Sequence, residues 1–370
     1  MNIPLSKPDL TNLEMKYVID VLVSEKLSLG DKVREFEEKF KELLEVQYAV
    51  GMNSGTSALH VAVKALGLKK GDEVITSPYS FVASSNCLLY EGVTPVFVDV
   101  HPDAPVMDEN LIERAITDRT KAILVVHIFG HPCNMDKIEA VAKKHNLKII
   151  EDACEALGAT WHGRQAGTFG DVSVFAFYPN KQITTGEGGM LVTNNQEIYK
   201  IAASLRNQGR NLSNEWLVHE RLGYNYRLSD IHAAIGIAQM ERLSEILSKR
   251  EKVAKHYNKL IDEHCVPVTY LKNHHKATIS WFVYPVMIPE NISRDNVMKK
   301  LLERGIHTKP YFPSIHLQSF YKELYQTKVG DFPKSERLAN HSLALPFFNK
   351  LSQEEQRYII TSLSEIINEG

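Results

Sequence analysis

What this chain lacks narrows it first. It has only four cysteines, Cys87, Cys133, Cys154 and Cys265, and no Cys-x-x-Cys pair, which excludes a disulfide-stapled scaffold and favours a reducing compartment. It has no surplus of charge. Forty-three basic side chains stand against 45 acidic ones, so the chain projects no field to gather nucleic acid or to hold an anionic membrane. It has no long apolar run: nothing approaches the roughly 18 residues of a membrane span, and the opening "MNIPLSKPDL" has no signal-peptide core. Repeats and low-complexity tracts are missing too. A globular cytoplasmic protein is expected, with neither nucleic acid nor membrane as partner.

What is present points to layers. A chain of 370 residues exceeds one comfortable core, so two domains are expected. From about residue 50 to 195 helix and strand patterns alternate. "TSALHVAVKAL" sets Leu59, Val63 and Leu66 on one helical face, and "NMDKIEAVAKKHN" does the same with Ile138, Val141 and Ala142. Between such stretches "DEVITS", "TPVFVDV", "KAILVVHIF", "LKIIED" and "DVSVFAFY" read as buried strands. The alternation predicts an α/β fold with a mainly parallel central sheet flanked by helices, whose sites collect at the carboxyl ends of strands. After Ser229, a helix cap, one long helix is expected through "IHAAIGIAQMERLSEILSKREKVAKHYNKLIDEH". The rest, with strand-like "TISWFVYPVMI" and helix-like "RDNVMKKLLERGI", suggests a smaller α+β domain. The division is placed at 1–245 and 246–370.

Three stretches carry possible chemistry. In "NSGTSALH", Gly55, Thr56 and Ser57 open a helix; they offer N–H groups and hydroxyls to a phosphate, or simply cap it. In "IIEDACEALGA", Asp152 ends a buried strand, where a carboxylate needs a cation such as a protonated pyridine, or else a salt bridge or capping role. Lys181 in "FYPNKQITTGEGG" follows another strand end; most lysines are solvated, but one set between apolar strand and glycine loop can be desolvated and form a Schiff base. Gly186, Gly188 and Gly189 would let the backbone approach a planar ring. Taken together, the three contacts match the needs of pyridoxal phosphate. His127, His131 and Cys133 do not have zinc-site spacing, and "GEGG" lacks the dinucleotide fingerprint.

"NSGTSAL", "EDACEALGA", "GTFGDVSVFAFYPNKQITTGEGGM" and "GYNYRLSDIHAAIGIAQM" resemble the DegT/DnrJ/StrS nucleotide-sugar aminotransferases, pyridoxal-phosphate enzymes of transferase fold type I. The resemblance runs nearly the whole chain. It implies Lys181 as the residue that carries the cofactor and shuttles the proton, Asp152 as partner of the pyridine nitrogen, Thr56 and Ser57 as phosphate contacts, and Phe81 as a stacking ring. It implies a homodimer with the active site at the subunit interface, in which Asn225 reaches the partner's phosphate with Arg227 nearby. Pyridoxamine phosphate would be the intermediate cofactor form, L-glutamate the donor, and a nucleotide-linked keto sugar, commonly a 4-keto-6-deoxyhexose, the acceptor. Two positions depart from the usual pattern. Ala176 replaces a phosphate-binding serine, and Glu155 replaces a Gln or His that donates toward the cofactor's phenolic oxygen, which a carboxyl does only when protonated. Lys309, Tyr311 and His316 fall where the family often recognises sugar or nucleotide.

Overall fold

Valine- and isoleucine-rich runs close into one seven-stranded sheet in the computed structural model, which describes residues 2–101, 104–211, 213, 216–272 and 276–369. Its strands are β1 (Tyr48–Met52), β2 (Glu73–Thr76), β3 (Thr94–Phe97), β4 (Thr120–Val126), β5 (Lys148–Asp152), β8 (Val172–Ala176) and β9 (Gly189–Thr193), in the order β1-β9-β8-β5-β4-β2-β3. Neighbours from β3 to β8 pair in parallel; β9 alone runs against the others. The short strands β6 (Thr160–Trp161) and β7 (Arg164–Gln165) form a ribbon beside it, joined by β11 (Ala277–Thr278). The predicted mainly parallel sheet is therefore present, and the carboxyl ends of its strands lie along one edge.

Helices cover both faces because their apolar stripes need the sheet. The helix α3 (Gly55–Ala65) is buried almost throughout, and α1 (Asn12–Ser24) and α2 (Asp31–Leu44) pack on the helix Asp230–Glu241. Ser229 caps that helix by accepting from the His232 N–H. The single long helix expected beyond it is two: Arg242, at φ −103° and ψ 4°, separates Asp230–Glu241 from Leu243–Glu263. The reason is tertiary. The Arg242 guanidinium bonds Asp9 and Glu14, so the bend ties the helix junction to the N-terminal segment.

A second core gathers Val253, Tyr257, Trp281, Tyr284, Leu343, Phe347 and Ile360 around the antiparallel strands β10 (Thr269–Tyr270), β12 (Tyr284–Met287) and β13 (Ser342–Leu345). Ile3 belongs to this core and bridges Ile306, whereas Phe36 and Phe40 of α2 pack with Phe175 and Phe177 behind the large sheet. The N-terminal forty residues thus serve this core and the one behind the large sheet. Among the described residues no helix is long and apolar enough to cross a membrane.

Candidate active site

Distant segments meet at the carboxyl edge of the parallel strands. There a cavity of about 770 Å³ is lined by Ser54, Gly55, Thr56, Phe81, Ser84, Asp152, Glu155 and Lys181, with Phe282, Lys309, Tyr311 and Phe312 from the later half of the chain. At one end α3 begins. Ser54 caps it by accepting the Ser57 N–H at 3.1 Å, leaving the start of the helix facing the cavity, where an anion is favoured. A Cβ on Gly55 would lie 2.7 Å from the Ala176 Cβ, and one on Gly189 would lie 2.4 Å from the Ser54 carbonyl oxygen. Those glycines are needed because the helix start is pressed onto the strand ends.

Asp152 ends β5 and is buried. Its Oδ2 accepts from the Ser84 hydroxyl at 2.6 Å and its Oδ1 from the Cys154 N–H at 3.1 Å. Among the described residues no lysine, arginine or histidine forms an ion pair with it, so a buried carboxylate borders the cavity without a cation. Lys181, 14% exposed at its side chain, donates from Nζ to Glu155 Oε1 at 3.2 Å, and the same Nζ stands 3.9 Å from the centroid of the Phe282 ring. Glu155 is buried, and its Oε2 accepts the Phe129 N–H at 2.9 Å. Burial pushes its carboxyl above the ordinary range, against the pull of the Lys181 charge.

Of the residues singled out from sequence, Gly55, Thr56, Phe81, Asp152, Glu155, Lys181, Lys309 and Tyr311 line this one cavity. Phe81 is 57% exposed there. Ser57 does not line it; its hydroxyl is engaged 2.9 Å from that of Ser54. Asn225 and Arg227 lie outside the cavity wall, beyond the end of β1, where Asn53 donates to the Tyr226 carbonyl at 2.9 Å. Tyr224 and Tyr226 stack at 4.8 Å and bond to Glu91 and His60, and Asn225 between them is exposed. His316 is also outside: fully buried, it pairs its Nε2 with Glu336 at 3.1 Å. That position is packing, because a ring with no exposed surface presents nothing to a sugar.

Sequence reasoning passed over Ser54, Ser84, Asn180 and Phe282. Ser54 carried a signal, as the hydroxyl residue just before a helix. Ser84 and Phe282 carried none that local pattern would reveal. His127 and Cys133 are engaged elsewhere: His127 Nε2 meets Glu151 at 2.8 Å, and its Nδ1 accepts the Cys133 N–H at 3.1 Å.

A profile built on the DegT/DnrJ/EryC1/StrS aminotransferase family matches residues 8–364. The chain belongs to that family. It is 39% identical over 368 residues to the GDP-perosamine synthase of Escherichia coli O157:H7, covering 99% of each chain. To the GDP-perosamine synthase of Caulobacter vibrioides it is 38% identical over 371 residues, covering 99% of this chain and 98% of that one. Among solved structures, Helicobacter pylori PseC, an aminotransferase of pseudoaminic acid biosynthesis, superposes with a TM-score of 0.95 at 30% identity over the full length of both chains. The pyridoxal-phosphate form of the putative sugar aminotransferase Spr1654 from Streptococcus pneumoniae gives 0.94 at 29% identity, covering 100% of this chain and 99% of that one.

This family member is a pyridoxal-phosphate-dependent sugar aminotransferase with the type I fold of its solved relatives. The residues present fit the cofactor. Asp152 is an uncompensated carboxylate at a strand end, the start of α3 offers N–H groups and the Thr56 hydroxyl, and Lys181 brings the primary amine. Ala176 supplies no hydroxyl at the end of β8, and its methyl group instead meets the backbone at Gly55.

Proposed function

We propose that this enzyme moves the amino group of L-glutamate onto the keto carbon of a nucleotide-linked 4-keto-6-deoxyhexose, forming an amino sugar for polysaccharide, glycan or antibiotic assembly. The observation that carries this reading is the shared cavity of Lys181 and Asp152 at the edge where α3 begins. GDP is the nucleotide assigned first, since relatives matched end to end at 39% and 38% identity are GDP-perosamine synthases.

Each residue then has a task. Gly55 and Thr56, with Ser54, hold the phosphate at the positive end of the helix. Asp152 keeps the ring nitrogen protonated, its own orientation set by the Ser84 hydroxyl. Phe81 stacks on the ring from the cavity mouth. When bound, pyridoxal phosphate supplies an electron sink beside the amino-bearing carbon. Lys181 Nζ takes the proton from that carbon and hands it on, and Glu155 receives the lysine's N–H. Lys309 and Tyr311 face the acceptor from the later half of the chain. A homodimer completes the proposal: Asn225 is exposed and outside its own cavity, which supports its reaching a partner's site with Arg227 beside it, and the cytoplasm is the compartment assigned.

The test is to incubate the holoenzyme with glutamate and a panel of GDP-, dTDP- and UDP-linked 3-keto and 4-keto sugars while following 2-oxoglutarate. Turnover is expected with a GDP-linked 4-keto sugar. A protein that keeps its cofactor yet converts no keto sugar would overturn the substrate class, and light scattering that gives a monomer would overturn the dimer.

A further inference from the structure

The wall of the cavity behind Lys181 is built with unusual care. Arg250, on the helix Leu243–Glu263, is 5% exposed, and its Nε and Nη2 donate to the carbonyls of Trp281 and Phe282, both at 2.7 Å. Among the described residues no carboxylate forms an ion pair with it. Burying a guanidinium without one is unfavourable; burial lowers its proton affinity to about 10, which still leaves it charged at neutral pH. This cation is held by two consecutive carbonyls and by the Phe347 ring, 5.0 Å away.

Those carbonyls belong to a turn that needs holding. Trp281 has φ +53°, in the left-handed region that bulky side chains avoid. The Ser280 and Phe282 N–H groups donate to the carbonyls of Gly130 and Phe129 at 3.1 and 3.2 Å, and Phe129 is itself at φ +58°. A Cβ on Gly130 would lie 2.8 Å from the Ser280 Oγ and 2.9 Å from the Trp281 nitrogen. Two strained loops are thus pinned back to back. On the cavity side one loop presents the Phe282 ring face, 3.9 Å from Lys181 Nζ, and the other, through the Phe129 N–H, fixes one oxygen of Glu155, whose Oε1 stands 3.2 Å from the same Nζ.

We propose that Phe282 and Arg250 are positioning residues for Lys181: the Phe282 ring fixes the amine whenever it is not bonded to the cofactor, and Arg250 locks the turn that carries the ring. The assignment rests on the cofactor reading above. A lysine side chain has four rotatable bonds and much rotamer freedom to lose. Seating Nζ between a ring face and a carboxylate fixes it in advance, which raises its effective concentration toward a reacting carbon.

The consequence is measurable without turnover. Pyridoxal phosphate loads by condensation: the Lys181 ammonium gives a proton to water, the free amine adds to the aldehyde carbon, and a carbon–nitrogen double bond forms as the aldehyde oxygen leaves in one water. Pyridoxamine phosphate has no aldehyde and binds without that bond, so its affinity reports the integrity of the cavity alone. Phe282→Leu keeps bulk and loses the ring face; Arg250→Met loses both donors. For each, stopped-flow absorbance on apoenzyme should show condensation slowed about 5- to 20-fold, with the dissociation constant of pyridoxamine phosphate within about twofold of wild type. Phe282→Tyr should restore the rate to within about twofold. Condensation at the wild-type rate in Phe282→Leu overturns the proposal, as does loss of both ligands by the same factor, which would make the ring ordinary packing. If Arg250→Met does not fold, Phe282→Leu with its Tyr rescue decides alone. A wild-type apoenzyme that binds neither form overturns the cofactor reading itself, and this proposal with it.

Discussion

Two buried glutamates on one short stretch, Glu151 and Glu155, have their carboxyls shifted in opposite directions. Glu151 Oε1 accepts from the Phe169 and Gly170 N–H groups and the Ser173 hydroxyl, and its Oε2 from the Gly167 N–H and His127 Nε2, at 2.6 to 3.0 Å. Burial pushes its carboxyl up, but the His127 contact and the backbone donors outweigh that and hold it below the ordinary range. Among the described residues Glu155 has only Lys181 and the Phe129 N–H, and burial prevails. Burial alone therefore does not decide which way a carboxyl shifts. The number of donors does, and a site that must exchange protons is one where donors are few. Between the two, Asp152 occupies the next strand position after Glu151, so the pleat turns it to the opposite face, toward Ser84 and the cavity.

The largest effect that would sharpen this comparison belongs on the cavity side. Lys181→Ala should lower transamination at least about 10³-fold and abolish the absorbance band of lysine-bound cofactor, while leaving the melting temperature of the apoenzyme close to wild type; a variant that retains the band would break the cavity assignment. Next comes Glu151→Gln. It leaves His127 and three backbone N–H groups without their carboxylate, so urea unfolding should show a loss of about 3–5 kcal/mol. The sign follows from its lowered value: its contribution is present above the unfolded value near 4.5 and lost as pH falls. The wild-type advantage over Glu151→Gln should therefore shrink on acidification, and an advantage that grows would refute the account.

Glu14 supplies a third carboxylate, far from the chemistry, that obeys the same rule. Burial pushes it up, but the Thr11 hydroxyl, the Gln239 amide and backbone N–H groups bring it down to about 2. Glu14→Gln should cost roughly 1–3 kcal/mol at neutral pH, with the difference from wild type fading between about pH 4.5 and 2 in thermal melts. The smallest effect is expected at Glu155. Glu155→Gln should change stability at neutral pH by less than about 1 kcal/mol, with the opposite slope: a raised carboxyl contributes most below 4.5 and loses that contribution as pH rises through its folded value. Wild type should lose ground to Glu155→Gln as pH rises; parallel slopes for Glu151→Gln and Glu155→Gln would erase the distinction drawn above.

Much of this was legible in the residues. Asp152 and Lys181 were placed at strand ends because "LKIIED" and "DVSVFAFY" have the apolar continuity of buried strands and both are followed by small or turn-forming residues. Ser229 was legible as a cap for the same local reason. His316 was not legible as packing, since its burial depends on Glu336 and Phe332 folding over it. The break at Arg242 was invisible in a helical periodicity that runs straight through it, because the force that bends the chain comes from Asp9 and Glu14.

By itself, then, the amino-acid order determined the alternation of helix and strand, the parallel sheet and which residues stand at its reactive edge, because each of those follows from side-chain periodicity and caps within a few neighbours. Only the tertiary structure decided which groups face one another there: Ser84 on Asp152, Phe282 beneath Lys181, Arg250 behind Phe282, and the unequal donor counts of Glu151 and Glu155. Those contacts join segments whose local preferences say nothing about each other, and they exist because burying the cores forces the segments together.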